Sequence, residues 1–505
     1  MFRIFDSLNS LDNMRLSIET VRECNKVAEP ALCYTGDILD PERDKYNLKY
    51  YVDMARELEK AGANIIAIKD MAGLLKPEAA YRLISALKDA VDVPIHLHSH
   101  DGSGNSIYTY ARAIDAGVDI VDTAMSAMSC GTSQPSTAGL YYALEGHPRQ
   151  PKLDVNALNE MSRYWETIRP YYKAADKTEN FPNPEVYIHE MPGGQYTNLK
   201  QQAAALGLLD RWEEIKDMYH RVSMMFGDVI KVTPSSKVVG DMTLFMVQNE
   251  LTEEDVYAKG DTMDFPASVI NFFRGGIGTP YGGFPKRLQQ IILRGQKPIT
   301  ERPGAVLPPV DFEAKRKELK EMNAPVTDEA ISSYCLYPDV FRKWVARHEE
   351  FGDVSVLDTP TFFFGMVPGE EIDVEIEKGK VVIIKLIHIS DADDNGNRVV
   401  SFEFNGMPRE ITIFDRNAKH TNVTRRKADK SNPGEIGATL AGSVVKILVE
   451  KGQSVTKGMP LIVTEAMKME TTIAAPISGI VSQILVQAGS RIENGDCLLT
   501  IDTKN

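Results

Sequence analysis

The chain has 505 residues, 43% of them hydrophobic and 25% charged, an ordinary globular composition with room for about three domains. A net charge of −14 excludes broad binding to a nucleic-acid backbone, and no run of about 18 apolar residues marks a membrane span. Met1–Asp6 lacks the basic start and apolar core of a secretory leader, and the five cysteines, odd in number and without CxxC spacing, read as reduced thiols, each a small buried hydrophobe.

Over about the first 125 residues, short apolar runs alternate with amphipathic stretches, the pattern of parallel βα units. The expected strands are Phe2–Ser7, Pro30–Tyr34, Asn64–Lys69, Pro94–His100 and Asp119–Ala124. Between them lie helices such as Leu48–Ala61, with Leu48, Val52, Ala55 and Leu58 on one face. A closed (β/α)₈ barrel needs eight such units. Five are legible, and the chain opens directly on a strand, so an incomplete barrel with exposed apolar edges is expected.

Barrel chemistry gathers at the C-terminal ends of strands. His96, His98 and His100 alternate along one strand, so the two-residue period turns all three imidazoles to one side, where they would hold a metal. Lys69 ends the preceding strand, at a place where a charge must be compensated. Two readings stay open: Lys69 joins the histidines at a metal site, or it pairs with neighbouring Asp70.

Residues 140–300 read as mainly helical, punctuated by Gly and Pro. Taken alone, Thr233-Pro-Ser-Ser236 is a turn with hydroxyl caps. Gly275–Gly283 lacks the Gly-Lys-Ser/Thr ending of a phosphate loop and reads as structural. A charged helix, Phe312–Met322, precedes a β-rich stretch with a hairpin of Asp373–Glu377 and Val381–Ile389 around Lys378-Gly-Lys380, then strands Val399–Phe404 and Ile411–Phe414. Lys427–Gly434 is polar and suits a flexible tether.

The C-terminal segment is an internal duplication. Aligning Gly442–Gly452 with Gly479–Gly489 pairs Ile447 with Ile484, Leu448 with Leu485 and Val449 with Val486; Gly458 then pairs with Gly495 and Leu461 with Leu498. Two such halves would close into a small β-barrel whose connecting turn presents Lys468, flanked by Met467 and Met469, to solvent. The plainer reading of Lys468 is one more exposed hairpin lysine.

Ala466-Met-Lys468-Met469, followed by Ala475-Pro-Ile-Ser-Gly479, resembles the attachment site of biotinyl carrier domains. Lipoyl domains share that fold, but their lysine usually lacks the double methionine flank. Further motifs look like the C-terminal part of the pyruvate carboxylase family: Tyr34-Thr-Gly-Asp37, Lys69-Asp-Met-Ala-Gly73, His96–Gly104, Pro192-Gly-Gly-Gln195-Tyr-Thr-Asn198 and Lys231-Val-Thr233-Pro-Ser-Ser-Lys237. The likeness continues through Arg302–Pro309, Tyr337–Val340 and Glu375–Gly379 into the carrier, covering essentially the whole chain.

The resemblance implies a multidomain α/β chain: an incomplete TIM-type barrel with a helical extension (1–304), an α+β tetramerisation and allosteric linker domain (305–426) and a small all-β biotinyl domain (434–503). It implies carboxyl transfer from carboxybiotin to pyruvate, giving oxaloacetate. Biotin would be attached to Lys468 by a biotin protein ligase. Zinc or manganese would be held by His98, His100 and a carbamylated Lys69, Thr233 would shuttle a proton between pyruvate and biotin, and Gln195, Ser236 and Lys237 would line the biotin pocket.

The sequence departs from the family's pattern in lacking the first barrel strands, with their aspartate ligand and neighbouring arginine and glutamine. It also lacks the later Arg-Gly-Ala-Asn segment and the ATP-dependent biotin carboxylase region. Those parts are expected on an upstream or separate polypeptide, with a cytoplasmic homo-tetramer as the whole enzyme. The alternatives are an α-type subunit of an oxaloacetate decarboxylase or transcarboxylase, and a non-catalytic biotin-bearing module.

Overall fold

The structure, a computed structural model, describes all residues except 174–175, 177–181, 394–395, 416–425, 430–431, 467–468 and 503–505. The chain forms two compact units, Met1–Asp353 and Val354–Asn505. Among the described residues no helix is long and apolar enough to cross a membrane.

In the first unit, β1 (Phe2–Ile4), β2 (Ala28–Cys33), β3 (Ile66–Asp70), β4 (Ile95–Ser99) and β5 (Ile120–Val121) form one parallel sheet in chain order. Helices α1 (Leu11–Glu23), α2 (Leu48–Lys60), α3 (Pro77–Ala90) and α4 (Ser106–Asp115) are the crossovers. All five expected strands are present, and the pattern is that of an open, incomplete barrel. β1 pairs only with β2 among the described strands, and Phe2 in it and Phe5 just after it are exposed.

Helix α2 starts where the Asn47 side chain accepts the Tyr50 amide at 3.0 Å. Its inward face is Tyr51, Ala55 and Leu58, with Leu48 and Val52 only partly buried at the margin of the same core. Tyr51 takes the centre of the stripe because its hydroxyl is satisfied inside, donating to the Thr35 carbonyl and accepting the Thr35 amide, both at 2.9 Å.

Beyond the sheet come α5 (Thr137–Ala143), α6 (Val155–Tyr172), α7 (Val186–His189), α8 (Gly193–Ala205), α9 (Trp212–Met225) and α10 (Ser235–Gln248). α8, α9 and α10 build a second core through Leu199, Tyr219, Val222, Met242 and Met246, joined by Phe272 and Phe273. The glycine loop after residue 274 is structural, as expected: Gly275 sits at φ +88°, and a Cβ there would lie 2.6 Å from the Ile299 carbonyl. Helices Phe312–Glu321, Asp328–Leu336 and Pro338–Phe351 share a small core of Leu319, Ile331, Tyr334, Phe341 and Val345.

In the second unit, β6 (Glu371–Glu377), β7 (Lys380–Ile389), β8 (Asn397–Phe404) and β9 (Met407–Phe414) form an antiparallel meander. The expected hairpin is there, with its turn at Lys378-Gly379. Eight further strands follow: β10 (Glu435–Gly437), β11 (Gly442–Ile447), β12 (Ser454–Val455), β13 (Pro460–Ala466), β14 (Met469–Ala474), β15 (Gly479–Ile484), β16 (Arg491–Ile492) and β17 (Cys497–Asp502). They make two four-stranded sheets, β10-β17-β15-β12 and β14-β13-β11-β16.

The duplication is structural as well as sequential. Each half lends its short strand, β12 or β16, to the other half's sheet. Leu448 N–H bonds the Leu461 carbonyl at 2.8 Å, and Leu485 N–H bonds the Leu498 carbonyl at 2.8 Å. Gly452 N–H reaches the Val481 carbonyl (2.8 Å), and Gly489 N–H reaches Val444 (2.7 Å). Leu461 and Leu498 are both fully buried, and Gly458 and Gly495 have φ of +87° and +82°.

The β13–β14 hairpin carries the turn of Lys468, which lies outside the described residues.

Two expectations change. Part of the polar tether is seated on the carrier: Lys427 Nζ donates to Asp496 Oδ1 at 2.8 Å, and Ala428 N–H to the Gly495 carbonyl at 2.9 Å. The stretch offers a backbone pairing and a charge to an otherwise open edge. All five cysteines are free, but only Cys33 and Cys497 are buried. Cys24 and Cys130 are exposed, since each falls in a surface turn where no core is within reach.

Candidate active site

Lys69 and His98 are register partners on β3 and β4, and the His98 ring meets the His100 ring edge-on at 5.2 Å between centroids. Three of the expected site residues therefore converge at the C-terminal ends of two adjacent strands. The loop after β3 is shaped for this: Gly73 has φ +69°, and a Cβ there would lie 2.6 Å from the His100 carbonyl oxygen.

Asp70 does not pair with Lys69. It is fully buried and accepts the Leu74 and Leu75 amides at 2.8 and 2.9 Å and the Ser99 hydroxyl at 2.8 Å, clamping the loop. Among the described residues Lys69 has no carboxylate partner. Its Nζ lies 4.7 Å from the Phe5 ring centroid and beside the Met71 sulfur. Burial in these surroundings, together with nearby Arg3, lowers its pKa. His100 is held neutral, its pKa lowered to about 4 by burial and by the proximity of His98 and Lys69, and among the described residues its buried Nδ1 has no hydrogen-bond partner.

The three histidines face one side, as the alternation requires, but they are not equivalent. His96 is committed at both nitrogens: Nδ1 lies 2.5 Å from Glu29 Oε1, and Nε2 lies 2.9 Å from Asp122 Oδ1. Among the described residues His98 uses only Nδ1, 2.8 Å from Asp122 Oδ2. Arg3 completes the cluster, its Nε donating to Glu29 Oε2 at 2.7 Å and its Nη1 to Asp122 Oδ2 at 2.9 Å. Burial opposes ionisation of Asp122, but bonds from His96, His98 and Arg3 hold its carboxyl far below the usual range. Sequence reading missed Arg3, Glu29 and Asp122. The available signal was a glutamate, wholly buried, inside the apolar strand Ala28–Cys33.

The second group of expected residues gathers at the start of α10. Thr233 is exposed in the turn before it; the expected hydroxyl cap is absent, since Pro234 occupies the N-cap, and the Ser235 hydroxyl instead donates back to the Ile230 and Val232 carbonyls. Lys231, wholly buried, anchors the turn through Glu190 (2.8 Å) and Asp228 (2.6 Å). Arg43, from the loop after β2, pairs with both carboxylates. Burial works against the Glu190 and Asp228 charges, yet Lys231 and Arg43 keep both carboxyls below their ordinary pKa. The turn carrying Thr233 is thus fastened to the strand ends of the open barrel.

Ser236 Oγ is buried without a hydrogen-bond partner among the described residues, and Lys237 is exposed in the first turn of α10. Gln195, buried in α8, lies against the helix at Gly240, where a Cβ would come 2.3 Å from Gln195 Nε2. His100 and the first turn of α8 line one cavity, with Met71, Thr132, His189, Gly193 and Tyr196 in its wall. No hydrogen bond or ion pair among the described residues links Thr233, Ser236 or Lys237 to Lys69, His98 or His100.

Comparison with known proteins bears on these groups. A family model described as a conserved carboxylase domain matches residues 186–385, one for biotin-requiring enzymes matches 432–501, and an HMGL-like model matches 10–164. The chain is 56% identical over 503 residues to the pyruvate carboxylase of Bacillus subtilis (strain 168), covering 99% of this chain and 44% of that protein. It is similar to the solved carboxyl transferase domain of Rhizobium etli pyruvate carboxylase with pyruvate and biocytin, at 49% identity and a TM-score of 0.79, over 82% of this chain and 70% of that one. It is also similar to the complete multifunctional enzyme from that organism, at 46% identity and a TM-score of 0.78, over 99% of this chain and 46% of that one. The chain spans less than half the length of the whole enzymes it matches.

Proposed function

Because the chain belongs to the pyruvate carboxylase family, we propose that it performs carboxyl transfer from biotin on Lys468 to the methyl carbon of pyruvate, giving oxaloacetate. The observation that carries this is the convergence of Lys69, His98 and His100 at adjacent strand ends. The carboxyl transfer domain solved with pyruvate and biocytin, 49% identical to this chain, supports the choice of substrate.

The donor set fits a divalent metal, zinc or manganese. His100 offers a neutral imidazole with a buried, unbonded nitrogen, and His98 commits a single nitrogen to the protein. Lys69, with its lowered pKa, is biased toward the neutral amine, which would add to CO₂ and lose a proton to give a carbamate, an anionic oxygen ligand in place of an awkward cation. A metal held by these residues would supply Lewis-acid charge to stabilise the negative charge that develops on the substrate. Biotin, when attached to Lys468, supplies the carboxyl group.

The remaining chemistry belongs to the second group. Thr233 Oγ1, in an exposed turn fixed from below by Lys231, takes the methyl proton of pyruvate and hands its own proton to biotin, a general acid–base role for a neutral hydroxyl. Ser236, with a free buried hydroxyl, Lys237 and Gln195 bind the biotin ring. In this reading residues 1–304 carry the transfer chemistry, 305–426 the assembly contacts and 434–503 the carrier. The homo-tetramer is supported by the meander sheet, which leaves Met407, Ile411 and Ile413 exposed. A cytoplasmic setting is supported by the free state of all five cysteines. A biotin ligase must modify Lys468, and the biotin carboxylase step belongs to another part of the enzyme.

The test is oxaloacetate formation from pyruvate and chemically carboxylated biotin by the purified chain. Thr233→Ala should lower kcat about 10²- to 10⁴-fold, with Thr233→Ser retaining most of it. Lys468→Arg should abolish the streptavidin signal of the biotinylated chain. Full activity in Thr233→Ala would remove the proton role, and biotinylation surviving Lys468→Arg would remove the attachment site.

A further inference from the structure

We infer that Asp122 is a positioning residue for His98: its carboxylate fixes the Nδ1–H tautomer of that ring and so turns the Nε2 lone pair outward as a metal donor. The inference rests on the metal reading of Lys69, His98 and His100. A carboxylate only accepts hydrogen bonds, so the 2.8 Å contact between His98 Nδ1 and Asp122 Oδ2 requires the proton on Nδ1. A neutral imidazole with Nδ1 protonated has its single lone pair on Nε2. Without that partner the ring would exchange between tautomers and rotate, and part of the population would face a cation with an N–H.

The carboxylate is itself held from three directions. Arg3 Nη1 donates to Oδ2 at 2.9 Å, His96 Nε2 lies 2.9 Å from Oδ1, and the Asp122 amide bonds the Leu97 carbonyl at 3.1 Å. Glu29, wholly buried on β2, holds Arg3 at 2.7 Å and His96 at 2.5 Å. Four strands thus contribute to the orientation of one imidazole: β1 through Arg3, β2 through Glu29, β4 through His96, and the end of β5 through Asp122. The same network explains why His96 is not a donor, since neither of its nitrogens is free. Carboxylates bonded to the far nitrogen of a ligating histidine are worth roughly 10- to 100-fold in metal affinity elsewhere.

The experiment uses the whole chain, labelled with ¹⁵N-histidine and freed of metal. His98 is assigned by the signal that His98→Gln removes, and its ring tautomer is read from long-range ¹⁵N–¹H correlations. Wild type should show Nδ1–H alone. Asp122→Ala should show mixed tautomers, with Asp122→Asn intermediate because its amide can still accept or flip to donate. In parallel, Zn²⁺ and Mn²⁺ affinities are measured by chelator competition. Asp122→Ala should bind about 10- to 100-fold more weakly than wild type, and His98→Ala should not bind at this site.

Asp122→Asn preserves volume and serves where the alanine variant fails to fold, as judged by circular dichroism. A variant that keeps both the Nδ1–H tautomer and wild-type metal affinity overturns the inference while leaving the metal reading intact. If wild type and His98→Ala bind Zn²⁺ alike, the metal reading itself fails, and the positioning role with it.

Discussion

His189 shows how burial and one backbone bond fix a residue's charge state. Its Nδ1 accepts the Met191 amide at 3.0 Å, which requires the neutral ring, and burial with Lys216 nearby lowers its pKa to about 4. The unfolded chain binds this proton near pH 6.5, so neutral His189 contributes stability in full above that pH, and the contribution is lost as pH falls from 6.5 toward 4. The loss amounts to at most about 3 kcal/mol. His189→Gln keeps an acceptor for Met191 but does not titrate, so its urea midpoint should fall less than wild type's between pH 7 and pH 5; equal slopes would refute the assignment. Lys69, His98 and His100 were legible in the sequence because charge and imidazole stand out in apolar strands. Asp122, Glu29 and Arg3 were not, because their meaning lies in pairings that span up to 119 residues of chain.

At the scale of elements, helix α10 touches α8 where Gly240 faces Gln195. A methyl group at 240 would lie 2.3 Å from Gln195 Nε2, the far end of a side chain that can swing aside. Alanine in place of a mid-helix glycine gains roughly 1 kcal/mol of helix propensity, which offsets the displacement. Gly240→Ala should therefore fold with stability within about 1 kcal/mol of wild type, by thermal unfolding, yet raise KM for free carboxylated biotin several-fold with a smaller change in kcat. An unchanged KM would detach Gln195 from biotin binding. The five strands and the hairpin were readable because hydrophobic period and turn glycines are local signals; their ends differ by a few residues, as at β5, which is only Ile120–Val121 within the expected Asp119–Ala124. The carrier's duplication was readable as a repeat, but the exchange of short strands between its halves was not, since register between distant strands has no local sign.

At the scale of the molecule, each hydrophobic cluster among the described residues is drawn from a single compact unit. The clusters around Ile68 and around Met242 lie wholly before residue 353, and the cluster around Leu461 runs from Ile436 onward. Each unit has buried clusters of its own, so a cavity in one is expected to destabilise that unit first. Leu461 and Leu498 are pseudo-symmetric and fully buried, so truncating either to alanine should cost about 2–5 kcal/mol, by the same amount within about 1 kcal/mol. Calorimetry of the whole chain should then show two transitions. In Leu461→Ala and in Leu498→Ala the one belonging to the carrier-bearing unit should drop on the order of 10 °C while the other stays in place. Leu97→Ala, in β4, should do the reverse. A single transition that shifts in all three variants would mean that the units unfold as one, and that stability of the barrel end and of the biotin arm is shared rather than separate.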